Sequence, residues 1–72
     1  MITAEQINKL EDLGFEKDGH DRYVKEYEPD SGLVVNLVSC EYEHKFYIIR
    51  FGEGFTYQKR QDLMKLARVG IK

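Results

Sequence analysis

The pattern of hydrophobic and polar positions places two strands at the centre of the chain, between residues 33 and 51. This segment reads LVVNLVSCEYEHKFYIIRF, two runs of β-branched and aromatic residues separated by a polar stretch around Glu43 and His44. Such runs on either side of a short polar stretch are typical of two antiparallel strands joined by a turn. The other elements are placed relative to this predicted hairpin.

A first helix is predicted over residues 4–13. One apolar stripe runs along it at spacings of three, formed by Ile7, Leu10 and Leu13. Thr3 and Gln6 fit a capping box, in which each side chain satisfies the other residue's backbone donor. Gly14 stands where a helix ends in a left-handed residue, and Phe15 can then fold back over the last turn.

A third strand and a second helix complete the pattern. Residues 22–28 alternate between two sets of side chains, as a strand does. The Pro29–Gly32 segment after it is predicted to be a turn, because proline fixes φ and glycine supplies a conformation that other residues resist. A helix is predicted over about residues 58–69, with Thr56 as a permissible N-cap and Gly70 at its end. Its stripe consists of Leu63, Leu66 and Ala67.

The order helix, three strands, helix predicts a single two-layer α+β domain of 72 residues, with both helices on one face of an antiparallel sheet. Residues 55–57 are either a short fourth strand or the entry to the second helix. The sequence also allows Phe15 and Arg22 to belong to short strands.

The pairing of the strands assigns their side chains to two faces. Glu28 is paired with Leu33, and Tyr42 with Lys45, across the two predicted turns. The face expected to form the core then carries Tyr23, Tyr27, Val34, Val38, Cys40, Tyr47, Ile49 and Phe51. The face expected to lack a helix carries Val24, Val35, Leu37, Phe46 and Ile48, interleaved with Glu26, Glu28, Ser39, Glu41 and Arg50. A shift of one residue in either loop would exchange half of these assignments.

The face without a helix is more apolar than a solvated sheet face requires, which indicates a surface for a protein partner or a second copy of the chain. The expected contacts are apolar at its centre and polar at its rim. They are Val35, Leu37, Phe46 and Ile48, with Glu26 and Arg50 at the rim. The alternative is that exposed apolar residues are common, and that the stems of Glu and Arg shield these.

Composition argues against an enzyme, a metalloprotein and a membrane protein. One cysteine forms no internal disulfide and indicates a reducing compartment, and two histidines are too few for a zinc site. The chain has no apolar stretch of about 20 residues and no signal peptide, so a cytoplasmic protein without metal or cofactor is expected. The Cys40–His44 pair is read as a buried thiol beside a turn histidine. The Gly52–Gly54 segment lacks the lysine of a phosphate loop.

The uneven charge leaves nucleic-acid binding as the alternative function. The net charge is −2, yet five of the 11 bases and only one of the 13 acids lie from residue 59 onward. The basic residues expected to hold phosphates are Lys59, Arg60, Lys65 and Arg68. The aromatic residues of the sheet are expected to stack on nucleobases. The net acidity and the glutamates along the strands argue against this alternative.

The segments LEDLGFEKDG, DRYVKEYE and KFYIIRFGEGFTY follow one another across nearly the whole chain. By this layout the chain resembles small accessory proteins encoded by phages and prophages of Gram-positive bacteria. The resemblance implies a protein of the bacterial cytoplasm that acts by binding another macromolecule. Some proteins of that general kind inhibit host defences, including CRISPR effectors.

Overall fold

The computed structural model of the chain describes residues 3–19, 21–39, 44–54 and 56–72, apart from the side chains of Ser39 and His44. Its elements are α1 (Ala4–Asp12), β1 (Glu16–Lys17), β2 (Arg22–Glu28), β3 (Ser31–Ser39), β4 (His44–Phe51) and α2 (Tyr57–Arg68). The four strands form one antiparallel sheet in the order β1-β2-β3-β4. Both helices pack on the same face of this sheet, which confirms the two-layer α+β fold.

The first helix begins and ends as its sequence predicts. The Gln6 backbone N–H donates to Thr3 Oγ1 (3.2 Å) and the Thr3 N–H donates to Gln6 Oε1 (3.0 Å), which completes the capping box. Beyond the last turn, Gly14 has φ of +89° and the Phe15 N–H donates to the Leu10 carbonyl over 3.0 Å. This is a Schellman motif, and it folds the buried Phe15 ring back onto the helix.

The second helix has the same type of ending. Thr56 caps its start by accepting a hydrogen bond from the Lys59 N–H over 3.1 Å. At its other end Gly70 has φ of +87°, and the Ile71 N–H donates to the Leu66 carbonyl over 3.0 Å. Leu66 and Ile71 are both fully buried, so each helix returns a hydrophobic residue to the core directly after it ends.

The core lies between the helices and one face of the sheet. It consists of Leu10, Phe15, Tyr23, Leu33, Val35, Phe46, Leu66 and Ile71, with Ile7, Leu13 and Leu63 among the partly buried residues around it. The residues of the two predicted stripes therefore face the sheet, except Ala67, which is exposed. The fourth strand is β1, next to Phe15, while Tyr57 belongs to α2; Phe55 lies outside the described residues.

The pairing of β2 with β3 differs from the sequence prediction. Glu28 pairs with Ser31 rather than with Leu33, and an irregularity between Glu26 and Glu28 follows, so that Tyr23 lies opposite Val35. The prediction placed Gly32 in the turn. In the structure the turn has only two residues, Pro29 and Asp30, because Asp30 itself takes the left-handed conformation (φ +65°).

The prediction of which sheet face is covered was wrong for the same reason. The pairing predicted across the second turn is also wrong, because Lys45 pairs with Val38 rather than with Tyr42. The shift is an even number of residues, so the division of β3 and β4 into two faces is confirmed, with Val34 opposite Ile49 and Val35 opposite Ile48. The change in the pairing of β2 with β3 moves Tyr23 and Tyr27 to the Val35 side, which becomes the larger apolar face and packs under the helices. Three residues expected in the core are instead exposed, namely Val38 (40%), Tyr47 (55%) and Ile49 (44%). Cys40, also expected there, lies outside the described residues.

Candidate functional site

The side of the sheet that faces away from both helices carries a group of apolar side chains. We call this group the open face; it consists of Val24, Val34, Val38, Tyr47, Ile49 and Phe51. Val24, Val34 and Phe51 are half-buried by their neighbours, and the other three members are exposed. Among the described residues, neither helix lies over this side of the sheet.

Strand pairing makes the open face continuous. Val24, Val34 and Ile49 lie side by side in one row across β2, β3 and β4. In the neighbouring row, Phe51 lies opposite Gly32, and its ring covers that residue so closely that a Cβ atom there would lie 2.6 Å from Phe51 Cζ. An aromatic ring over a glycine fills the gap that the missing side chain leaves in a strand.

Charged residues of opposite sign flank the open face at its two ends. Glu26 lies in the row of Gly32. Arg22 and Lys45 lie toward the other end of the strands, where Arg22 forms an ion pair with Asp18 (Nη2 to Oδ2, 2.5 Å). Glu26 therefore lies toward one end of the face, and Lys45 and the Arg22–Asp18 ion pair lie toward the other.

The residues predicted to bind a partner do not form one exposed surface. Val35 (0% exposed) and Phe46 (6%) belong to the core, and Leu37 and Ile48 pack against it. The two predicted rim residues, Glu26 and Arg50, lie on opposite sides of the sheet, because Glu26 pairs with Gly32 and Arg50 pairs with Leu33.

The predicted nucleic-acid site loses one of its four bases to the interior. Lys59 is only 1% exposed. Its Nζ lies 3.0 Å from the Gly54 carbonyl, 3.3 Å from Ser31 Oγ and 3.4 Å from the Phe51 carbonyl. Lys59 therefore joins α2 to the ends of β3 and β4. The other three bases, Arg60, Lys65 and Arg68, are exposed on α2.

Tyr47 and the bases of α2 do not share a surface. Tyr47 is on the open face, whereas α2 is on the helix side of the sheet. Of the other sheet aromatics, Phe46 is buried and Tyr42 lies outside the described residues. A nucleic acid bound along α2 would therefore not reach the exposed aromatic side chain of the sheet.

A second group of polar residues is buried between α2 and β2. Asp62 has no exposed surface, and its Oδ2 accepts hydrogen bonds from Lys25 Nζ (2.6 Å) and Tyr27 Oη (2.7 Å). Its Oδ1 accepts one from Gln58 Nε2 (2.8 Å). Burial raises the pKa of Asp62, but these hydrogen bonds and the Lys25 charge outweigh it and hold the pKa below its ordinary value.

The surroundings of Asp62 suit a structural role better than proton transfer. A carboxylate with a lowered pKa and three donors is a poor general base. The pKa of Tyr27 is raised by burial and by its hydrogen bond to Asp62, so the phenol stays protonated. Lys25 Nζ also donates to the Leu13 carbonyl at the end of α1, so the cluster ties both helices to β2.

Neither helix within the described ranges is long and apolar enough to cross a membrane. In the same part of the chain, no group of three or more His, Cys, Asp or Glu side chains is placed to hold a metal ion. No protein-family model, curated protein or solved structure matches the sequence.

Proposed function

We propose that this chain is a small non-catalytic interaction module, and that its open face binds a second copy of the chain. The observation that supports this proposal is the continuous apolar row of Val24, Val34 and Ile49. Ile49 and Tyr47, which lies in the next row, are about half exposed. Apolar patches of this kind on small domains commonly mark interaction sites.

The charges around the open face favour self-association. A two-fold axis that lies in the interface and is perpendicular to the strands brings Glu26 of one copy over the end of the other copy that carries Lys45 and the Arg22–Asp18 ion pair. The two longer extents of the molecule, 35 and 21 Å, bound a face of about 700 Å². A stable interface takes about 800 Å² per partner, and the apolar row fills only part of the face, so a weak dimer is expected.

The first prediction concerns Ile49→Asp. A buried aspartate without a partner opposes association, so this variant should stay monomeric at concentrations where the parent chain dimerises. Because Ile49 is exposed in the monomer, the fold should be retained. Light scattering coupled to size exclusion, from micromolar to millimolar concentration, measures the mass, and circular dichroism checks the fold.

Met64→Asp is the matched control. Met64 is 49% exposed on α2, on the other side of the molecule, so its replacement should leave the dimer intact. A parent chain that remains monomeric at millimolar concentration would contradict self-association. If the parent chain dimerises and Ile49→Asp dimerises equally well, the interface lies outside the open face.

The resemblance in layout supports a wider proposal, in which the module serves as a phage or prophage accessory protein, including one that inhibits a host system. Such a protein would use the open face on a bacterial partner when it is not occupied by a second copy. Capture from a Gram-positive lysate by the parent chain, but not by Ile49→Asp, is the expected result. Equal capture by both proteins would count against this use of the face.

Nucleic-acid binding is the second candidate function, and it now rests on the outer side of α2. Tyr57 is 77% exposed at the start of this helix, which also carries the exposed Arg60, Lys65 and Arg68. An aromatic ring beside basic side chains suits a single-stranded nucleic acid, because the ring can stack on a nucleobase while the basic side chains contact phosphates. Fluorescence anisotropy with labelled DNA and RNA strands should then show binding at low salt that weakens steeply as salt is added. Unchanged anisotropy at low salt would remove this candidate.

A further inference from the structure

The outer edge of β4 is a second surface, distinct from the open face. β4 is the last strand in the sheet order, and among the described residues no strand pairs with its outer side. An uncovered edge of this length, eight residues, can take up another strand through backbone hydrogen bonds.

The hydrogen bonds of the sheet show which β4 residues face outward. The Leu37 N–H donates to the Asp21 carbonyl over 2.8 Å. Hydrogen-bonded pairs recur at every second residue of an antiparallel ladder, so Tyr23 and Val35 also exchange hydrogen bonds between β2 and β3. The backbone groups of Val34 and Asn36 therefore point to β4. Their partners are Ile49 and Tyr47, respectively.

Since successive residues of a strand point their backbone groups to opposite sides, Phe46 and Ile48 direct theirs to the outer edge. Both residues have their side chains on the helix side of the sheet. A strand added at this edge would thus pair with Phe46 and Ile48 and would lie beside the helix layer.

A groove of about 550 Å³ runs along this same edge, between β4 and the end of α2. Four of its six lining residues are apolar and two are basic, and none is acidic. They are Ile48, Leu63, Ala67 and Ile71, with Arg50 and Lys72. Alternate side chains of an added strand would point into this groove, because side chains alternate across a sheet.

We propose that the β4 edge and its groove bind an extended peptide that carries acidic residues. The backbone of the peptide pairs with Phe46 and Ile48, its alternate apolar side chains fill the groove, and its carboxylates lie near Arg50 and Lys72. Charge complementarity selects the acidic peptide, because both charged lining residues are basic. This site is independent of the proposed self-association through the open face.

The test uses a fluorescein-labelled peptide of the length of β4, with the sequence Thr-Val-Thr-Val-Thr-Glu-Thr-Glu. Anisotropy should rise with the parent chain, and the affinity should fall as salt is added. A peptide with lysine in place of both glutamates should bind about tenfold more weakly. The double variant Arg50→Glu with Lys72→Glu should reverse this preference.

Backbone pairing is tested with two further peptides, N-methylated at alternate positions in the two possible phases. Only one phase removes the N–H groups that face β4, so one methylated peptide should bind and the other should not. In addition, the acidic peptide should slow deuterium exchange at the Phe46 and Ile48 amides.

Ala67→Trp tests the groove without touching the sheet. Ala67 is exposed on α2, so a larger side chain there should fill the groove, preserve the fold and weaken binding at least tenfold. The measurements are repeated in Ile49→Asp, so that association through the open face does not contribute.

Three results would overturn the proposal. The first is unchanged anisotropy of the acidic peptide at millimolar protein. The second is binding that Ala67→Trp leaves intact or that both methylated peptides retain. The third is protection of the Phe46 and Ile48 amides that appears without peptide as the protein concentration rises, which would assign the edge to a second copy of the chain.

Discussion

At the scale of single residues, Asp62 is an ionised side chain with no exposed surface. Its carboxylate is fully buried and accepts hydrogen bonds from Lys25, Tyr27 and Gln58. A charge removed from water is tolerated only when its partners replace the lost hydration. Asp62 therefore stabilises the fold only as long as it is ionised and these donors are in place.

Asp62→Asn tests this dependence. The substitution leaves Lys25 largely buried without its counter-charge, and it should lower the free energy of unfolding by about 3 kcal/mol. Urea denaturation at neutral pH measures the change. Asp12→Asn, at an exposed position of α1, is the control and should change stability by less than about 0.5 kcal/mol.

Asp62 also predicts how stability responds to acid. Its pKa is lower in the folded state than in the unfolded chain, so the unfolded chain binds the proton more readily. The contribution of Asp62 is present above the unfolded pKa of about 4 and is lost as the pH falls through the folded pKa. Asp62→Asn should therefore show a flatter loss of stability below pH ~4 than the parent chain; equal slopes would contradict this assignment.

Lys59 and Lys65 form a matched pair on α2, one buried and the other exposed. Lys59→Ala leaves the Gly54 and Phe51 carbonyls and Ser31 Oγ without its ammonium group and should cost about 2–3 kcal/mol of stability. Lys65→Ala should cost less than about 0.5 kcal/mol. Thermal and urea unfolding compare the two variants, and equal effects would show that Lys59 is not a structural residue.

At the scale of elements, the two-residue turn of Pro29 and Asp30 decides which face of the sheet meets the helices. With Asp30 in the left-handed region, Gly32 is no longer needed in the turn and lies within β3. There a side chain is excluded, because a Cβ atom would lie 2.3 Å from the Lys25 carbonyl and 2.6 Å from Phe51 Cζ. Gly32 is therefore required by close packing rather than by backbone conformation.

Gly32→Ala should accordingly destabilise the fold by about 3 kcal/mol, at the upper end of what overpacking costs. Gly19→Ala is the control, since Gly19 has φ of +92° with open space around it and should show only the conformational cost of about 1 kcal/mol. Urea denaturation ranks the two. A smaller effect at Gly32 than at Gly19 would contradict the close contact of Phe51 with the strand.

The sequence predicts the helices well because their signals are local. The caps at Thr3 and Thr56 and the endings at Gly14 and Gly70 each depend on residues within one turn of the helix. The pairing of β2 could not be predicted in the same way. It depends on whether an aspartate or a glycine takes one left-handed position, and that single position exchanges the faces of a whole strand.

The candidate site was predicted on the wrong face of the sheet because of that same turn. Lys59 was predicted on the binding surface but is buried, and this error has another cause. A lysine in an amphipathic helix is ordinarily exposed. Its burial depends on carbonyls at Phe51 and Gly54, which the chain brings together only when β4 and α2 pack. In the sequence, Lys59 lies four and seven residues before Leu63 and Leu66, on the side of α2 that faces the sheet, but this spacing does not identify the carbonyls that its ammonium group meets.

At the scale of the whole molecule, the sheet has two unequal faces and, within the described residues, a long edge at β4 that no strand covers. The helix side holds the core, the other side holds the open face, and β4 contributes to all three surfaces. Partners at the open face and at the β4 edge would contact the same strand from different directions. Binding at either surface would therefore hold β4 more rigidly.

The link between the two ends of the described chain has a consequence for the order of folding. Gln6 Nε2 donates to the Val69 carbonyl over 2.8 Å and joins residues 63 positions apart, whereas every strand pairs with its neighbour in sequence. Short loops close at small entropic cost, so the sheet should form before the transition state and the Gln6–Val69 contact after it. Gln6→Glu keeps the acceptor for the Thr3 N–H but removes this donor. In stopped-flow experiments it should therefore speed unfolding and leave the refolding rate nearly unchanged, whereas slower refolding would place the docking of the two helices early.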